Sequence, residues 1–154
     1  MVFEGQVVHD MNGNIVYKPH DISLSQIYNL GFNLRGQSEA FVLGKMAQLF
    51  LHGGRYDFQR ESGPEHVRID RITPDGYLFH PEFVSFSTIA IGIFGEAAGI
   101  SKEFVLKAQN YYAGALSNFA AGTPMSADYA NLPVLNVENT KLGYHIADEI
   151  ALGH

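Results

Sequence analysis

Seven histidines, at positions 9, 20, 52, 66, 80, 145 and 154, and 16 carboxylates are the groups through which this sequence can move protons. None of the histidines falls at HxxxH or HExxH spacing, and there is no cysteine, so neither a zinc motif nor thiol chemistry is written into the chain. No metal and no cofactor is expected. A GxSxG elbow, a Walker loop and a GxGxxG turn are also missing, which removes the usual support for serine hydrolases, P-loop NTPases and dinucleotide enzymes. What remains is acid–base chemistry by His, Asp or Glu, with Arg as a charge stabiliser.

Three constellations fit that chemistry. The first is the stretch His52-Gly53-Gly54-Arg55-Tyr56-Asp57-Phe58-Gln59-Arg60, where a Gly-Gly turn would project several polar groups together. His52 would be the base, Asp57 its orienter and Arg60 the stabiliser of developing charge, with Tyr56 and Gln59 binding substrate; Asp57 and Arg60 are equally compatible with an ordinary local ion pair. The second is Glu96, a lone carboxylate in the apolar run Ile91 to Gly99. Burial would raise its pKa and suit it to act as a general acid, whereas exposure near a helix end would leave it ordinary. The third is His145 and Asp148 beside Tyr144, since residues three apart share a helix face. They are read as substrate-binding groups, or as a solvated polar stripe.

The elements that must position these groups follow from periodicity and punctuation. Alternation from Phe3 to Lys18 about Asn12-Gly13 predicts an N-terminal hairpin over 3–18, Phe3 to Val8 against Ile15 to Lys18. A helical body over 21–152 follows. Ser23 and Gln26 have capping-box spacing for a helix ending near Gly31, and Ser38 to His52 reads as a second helix with Phe41, Val42, Met46, Leu49 and Phe50 inward. A second hairpin is expected near 67–80, about Thr73-Pro74-Asp75-Gly76. Phe83 to Gly99 reads as a buried central helix whose glycines at 92, 95 and 99 would let another backbone come close. Ser101 caps an amphipathic helix to Ala121 with Phe104, Val105, Ala108, Tyr111, Tyr112, Ala115, Leu116 and Phe119 inward, and Asn139 to Leu152 reads as a closing helix. The fold class is therefore α+β, predominantly helical, with four to five helices and two short β-hairpins in a single domain spanning 1–154.

Composition narrows the partners. At 154 residues one core is the default. A net charge of −6 argues against a broad DNA-binding surface, leaving Arg55, Arg60, Arg68 and Arg71 as the local basic cluster. No apolar run approaches the roughly 18 residues that read as a membrane span, so no membrane insertion is expected. The opening residues carry no basic region followed by an apolar stretch, so the chain is expected to be secreted or delivered without its own signal peptide, or otherwise to be cytoplasmic.

Over about residues 21–150 the order of features resembles the bacterial polymorphic toxin type 44 domain. The turn Gly54-Arg55-Tyr56-Asp57-Phe58-Gln59-Arg60 is similar to that family's glycine–aromatic–Asp–basic motif, and the helices from Phe86 to Gly99, from Ser101 to Ala121 and from Asn139 to Asp148 are similar to those that follow it. Ser85, Ser87 and Ile91 stand where the family pattern has Asp, Asn and an aromatic, and the basic residue after the Asp is at 60 rather than 59. The resemblance implies an antibacterial effector hydrolase, nominally a ribonuclease, with a cognate immunity protein as partner. Two alternatives stand beside it. A muramidase-like peptidoglycan hydrolase would need two carboxyl groups about 5 to 9.5 Å apart. A non-catalytic interaction or immunity protein would show an apolar exposed patch and no convergent polar pocket.

Overall fold

The computed structural model describes residues 1–50, 56, 58, 60–61, 78–121 and 132–153. Among them the chain forms five α-helices and two two-stranded antiparallel sheets, a predominantly helical α+β fold. The strands are β1 (Val2–Phe3), β2 (Gln6–Val7), β3 (Arg60–Glu61) and β4 (Leu78–Phe79), and the helices are α1 (Leu24–Phe32), α2 (Glu39–Phe50), α3 (Val84–Ala97), α4 (Lys102–Ala121) and α5 (Val134–Ala151).

The N-terminal hairpin is tighter than its alternation predicts. β1 pairs with β2, Val2 opposite Val7 and Phe3 opposite Gln6, and the turn between them is Glu4-Gly5. Both turn residues have positive φ, 52° and 78°, the pair of signs that matches the twist of a two-residue hairpin. The Asn12-Gly13 turn exists as well, but it closes only an isolated bridge between His9 and Ile15. Asp10 holds that loop by accepting hydrogen bonds from the amides of Asn12 and Asn14 at 2.9 and 3.1 Å. β4 pairs with β3, Phe79 opposite Arg60 and Leu78 opposite Glu61. The remainder of the expected second hairpin, 67–77, lies outside the described residues.

Helix starts follow the caps. Ser23 accepts from the amide of Gln26 at 3.0 Å, Ser38 from Phe41 at 3.2 Å, and Ser101 from Phe104 at 3.2 Å, each satisfying one amide that the first helical turn leaves without a partner. α3 ends in a Schellman arrangement: Gly99, at φ 79°, donates to Glu96, and Ile100 donates to Gly95. α5 begins at Val134, five residues before its expected start, because Pro133 has no amide to leave unsatisfied at the entry to the helix. Two inward faces are narrower than the sequence predicts. Phe41 is 46% exposed, Phe104 38% and Tyr111 61%, so among the described side chains α2 buries Val42, Met46 and Phe50, and α4 buries Val105, Leu106 and Asn110.

The core is built around α3, which buries all its residues from Phe86 to Ala97 except Glu96. Glycines set its neighbours. A Cβ on Gly31 of α1 would stand 2.3 Å from the Phe94 carbonyl oxygen; one on Gly92 would stand 2.3 Å from the Thr140 carbonyl oxygen; and one on Gly143 would stand 2.2 Å from the Ile89 carbonyl oxygen. α3 and α5 thus touch backbone to backbone through Gly92 and Gly143. Gly95 meets Tyr144 one turn on, so the two helices run side by side in the same sense. Thr140 ties the pair to α4, accepting from Gln109 at 2.9 Å and donating to the Asn136 carbonyl at 2.8 Å.

Gly143→Ala should therefore destabilise the fold by about 1–3 kcal/mol or more, as overpacking against backbone that cannot move aside. Gly44, in α2 with nothing within 4 Å of an added Cβ, is the control: Gly44→Ala should stabilise by roughly 0.5–1 kcal/mol. Denaturant unfolding of the two variants reads both signs.

Candidate functional site

The seam between α3 and α5 decides which polar groups meet. Glu96 is one turn beyond Gly92 on α3, and Asp148 is five residues beyond Gly143 on α5, so the contact at the glycines brings the two carboxyl groups together at the same end of the pair. They lie within hydrogen-bonding reach of each other. Both line a cleft of about 470 Å³ with Ser101 and Lys102 at the start of α4 and Lys141, Tyr144 and His145 of α5. Glu96 is half-buried, while His145 and Asp148 are exposed at the mouth.

The electrostatics of the cleft follow from this placement. Burial raises the Glu96 pKa above its ordinary value of 4.5, the Asp148 carboxyl raises it further by charge and by hydrogen bonding, and Arg35 and Lys102 pull in the opposite direction. Arg35 reaches this end of α3 from the turn after α1, donating from Nε to the Ala97 carbonyl at 2.7 Å, with its guanidinium 5.0 Å from the Phe32 ring. Tyr144 forms the floor. Its hydroxyl donates to the Ile100 carbonyl at 2.7 Å and touches the space above Gly95. Burial, and then the charge of Glu96, push its phenol upward, so it remains a neutral donor.

The structure thus gathers Glu96, His145 and Asp148, drawn from two separate constellations in the sequence, into one cleft. Tyr56 is elsewhere. Rather than projecting from a turn it is 5% exposed, packed at 5.8 Å from the Phe50 ring and 5.9 Å from the Phe58 ring, with Gln26 donating to its hydroxyl at 3.4 Å. An aromatic next to two phenylalanines gains more from the core than from solvent, which outweighs the exposure that the Gly-Gly turn predicts. Arg60 is described as backbone of β3. His52, Asp57 and Gln59 lie outside the described residues.

Sequence reasoning missed Lys102, Lys141 and Arg35 as members of this site. Lys102 follows the cap of α4 directly, and that position was readable; Lys141 sits one turn before His145 on the face that Tyr144 and His145 had already marked. Lys141 also pairs with Glu138 at 3.4 Å on the exposed side of α5. Among the described residues no group of three or more His, Asp or Glu is close enough to hold a metal ion, and no helix is long and apolar enough to cross a membrane.

Tyr144→Phe should cost about 1–3 kcal/mol of stability, because it leaves the Ile100 carbonyl without its donor at a buried helix junction. The check is the shift in denaturant midpoint at unchanged slope. No protein-family model matches the chain, and no curated protein or solved structure is significantly similar to it, so the toxin resemblance rests on the motifs quoted above.

Proposed function

We propose that this chain is an effector-type hydrolase domain, nominally a metal-independent ribonuclease, whose acid–base machinery is the cleft between α3, α4 and α5. One observation carries the reading: a half-buried glutamate, held against a second carboxyl group, shares a cleft with an imidazole and two lysines. A carboxyl group that keeps its proton to higher pH than usual is suited to general acid catalysis. An exposed imidazole beside it is suited to be the base.

On RNA the roles are as follows. His145 takes the proton from a ribose 2′-hydroxyl, and that oxygen attacks phosphorus. The bond from phosphorus to the 5′-oxygen breaks, and Glu96 delivers its proton to the leaving oxygen. Lys102 and Lys141 offset the charge that gathers on the phosphoryl oxygens. Glu96 keeps the acid role that the sequence suggests, and His145 supplies the base that the described residues offer. Asp148 beside it disfavours the ionised form of Glu96, so the acid regains its proton between turnovers. The class implied by the resemblance would be delivered into a rival cell and restrained at home by an immunity protein.

The peptidoglycan alternative needs two carboxyl groups about 5 to 9.5 Å apart, of which Asp57 and Glu96 are the pair that the sequence suggests; Glu96 and Asp148, in mutual hydrogen-bonding reach, are closer than that, and Asp57 lies outside the described residues.

The test is purified protein incubated with structured and single-stranded RNA in the presence of EDTA, beside Glu96→Gln and His145→Ala. Cleavage leaving 2′,3′-cyclic phosphate ends, lowered about 100-fold or more by either substitution, is the expected result. Intact RNA, together with growth arrest only when the chain is exported to the bacterial envelope, would replace the ribonuclease reading with the cell-wall one. Intact RNA and no arrest in either compartment would favour an interaction protein.

A further inference from the structure

The seam also brings together the C-terminal ends of α3 and α5, which the hydrolase reading does not use. α3 and α5 run in the same sense, so their C-terminal ends, where unpaired carbonyls leave partial negative charge, lie side by side. Glu96 stands in the last turn of α3 and Asp148 in the last turn of α5. Acidic side chains at helix C-termini are ordinarily unfavourable. Here two of them, on two adjacent negative ends, converge on one cleft.

The groups facing Glu96 from every neighbouring element can be named. The turn after α1 contributes Arg35, which is fastened to the Ala97 carbonyl; α4 contributes Lys102; and α5 contributes Lys141, Tyr144, His145 and Asp148, while α3 itself carries no other charge. Lys141 is engaged with Glu138. Tyr144 turns its hydroxyl toward Ile100, so it does not satisfy Glu96. Arg35 and Lys102 lessen the repulsion without removing it, since the Glu96 pKa stays above its ordinary value.

We propose that Glu96 and Asp148 form a proton-locked clasp that fastens the C-terminal turns of α5 to α3 in acid and loosens as the pH rises. The clasp is a property of the fold and does not depend on the chain being a hydrolase. With a proton between them, the carboxyl groups hydrogen-bond across the seam. Without it, two negative charges face each other at two negative helix ends, and the last turn of α5 is the mobile partner because α3 is held on all sides. Ile150 packs against the core from that last turn, so its contact loosens with the clasp.

The sign follows from linkage. A carboxyl group whose value in the folded state is raised stabilises the fold fully below its unfolded value, near 4.5, and that contribution is lost as pH rises through the folded value. Glu96→Gln imitates the protonated state and removes the dependence.

The experiment is thermal unfolding of the full chain from pH 4.5 to pH 8, wild type beside Glu96→Gln and Asp148→Asn, with amide exchange of residues 149–153 corrected for the intrinsic pH effect. The expected result is equal melting temperatures for wild type and Glu96→Gln at the acid end. A gap of roughly 2–4 °C should open in favour of Gln toward pH 8, accompanied by loss of protection at the end of α5 in wild type only. Parallel curves for wild type and both variants would overturn the proposal, as would uniform protection across the pH range. A rise in wild-type melting temperature with Mg²⁺ or Ca²⁺ at pH 8, abolished by Glu96→Gln, would also overturn it, by showing that the converging negative ends take a metal cation instead of a proton. None of these readouts requires catalytic activity.

Discussion

Everything distinctive about this protein depends on the contact between Gly92 and Gly143. Two helices that meet through ordinary side chains stand about 8–10 Å apart. Here a methyl group at either glycine would overlap a carbonyl oxygen of the facing helix, so the axes are as close as backbone allows. Such closeness fixes rotation as well as distance. Once Gly92 faces Thr140 and Gly143, the next turn must set Gly95 against Tyr144 and bring Glu96 to Asp148.

The rest of the body serves that seam. α1 uses the same device, with Gly31 against Phe94, to cover another side of α3 and to carry Arg35 to its C-terminal end. The Gly99 cap turns the chain sharply enough for Ser101 to start α4 at the edge of the cleft, which is how Lys102 comes to face Glu96. Phe50, Phe94 and Phe86 fill the other side with Tyr56 and Phe58, where edge-on and tilted ring contacts of 5.1 to 5.9 Å seal the core. The polar cleft and the aromatic core thus lie on different faces of one helix. A single carboxylate, Glu96, interrupts what would otherwise be a fully buried surface.

Much of this was legible in the residues. The helix starts at Ser23, Ser38 and Ser101, the stop at Gly99 and the close backbone approach at Gly92 follow from local rules that tertiary context did not override, whereas Gly95 receives the side chains of Tyr144 and Val105 and Gly99 has nothing within 4 Å. Glu96 was conspicuous because charge in an apolar run has a cost that needs a reason. The pairing of Glu96 with Asp148 was not legible. They are 52 positions apart, and no local pattern reports which helix a glycine stripe will receive. Gly143 held the missing information: a glycine in the middle of an otherwise good helix costs about 1 kcal/mol relative to Ala, and close packing is one compensation for it. The Glu4-Gly5 turn was hidden for the opposite reason, since Glu rarely adopts positive φ and the Asn-Gly signal nearby was stronger.

The helix seam brings Glu96 and Asp148 into one cleft, where burial first and the Asp148 carboxyl second favour the protonated form of Glu96. Carbon-detected NMR titration of the Glu96 and Asp148 carboxyl groups, in wild type and in Asp148→Asn, tests it most directly. The expected result is a Glu96 curve displaced above the ordinary glutamate range in wild type, moving back toward that range when Asp148 loses its charge. A Glu96 that titrates as an ordinary exposed glutamate, indifferent to the substitution, would contradict it.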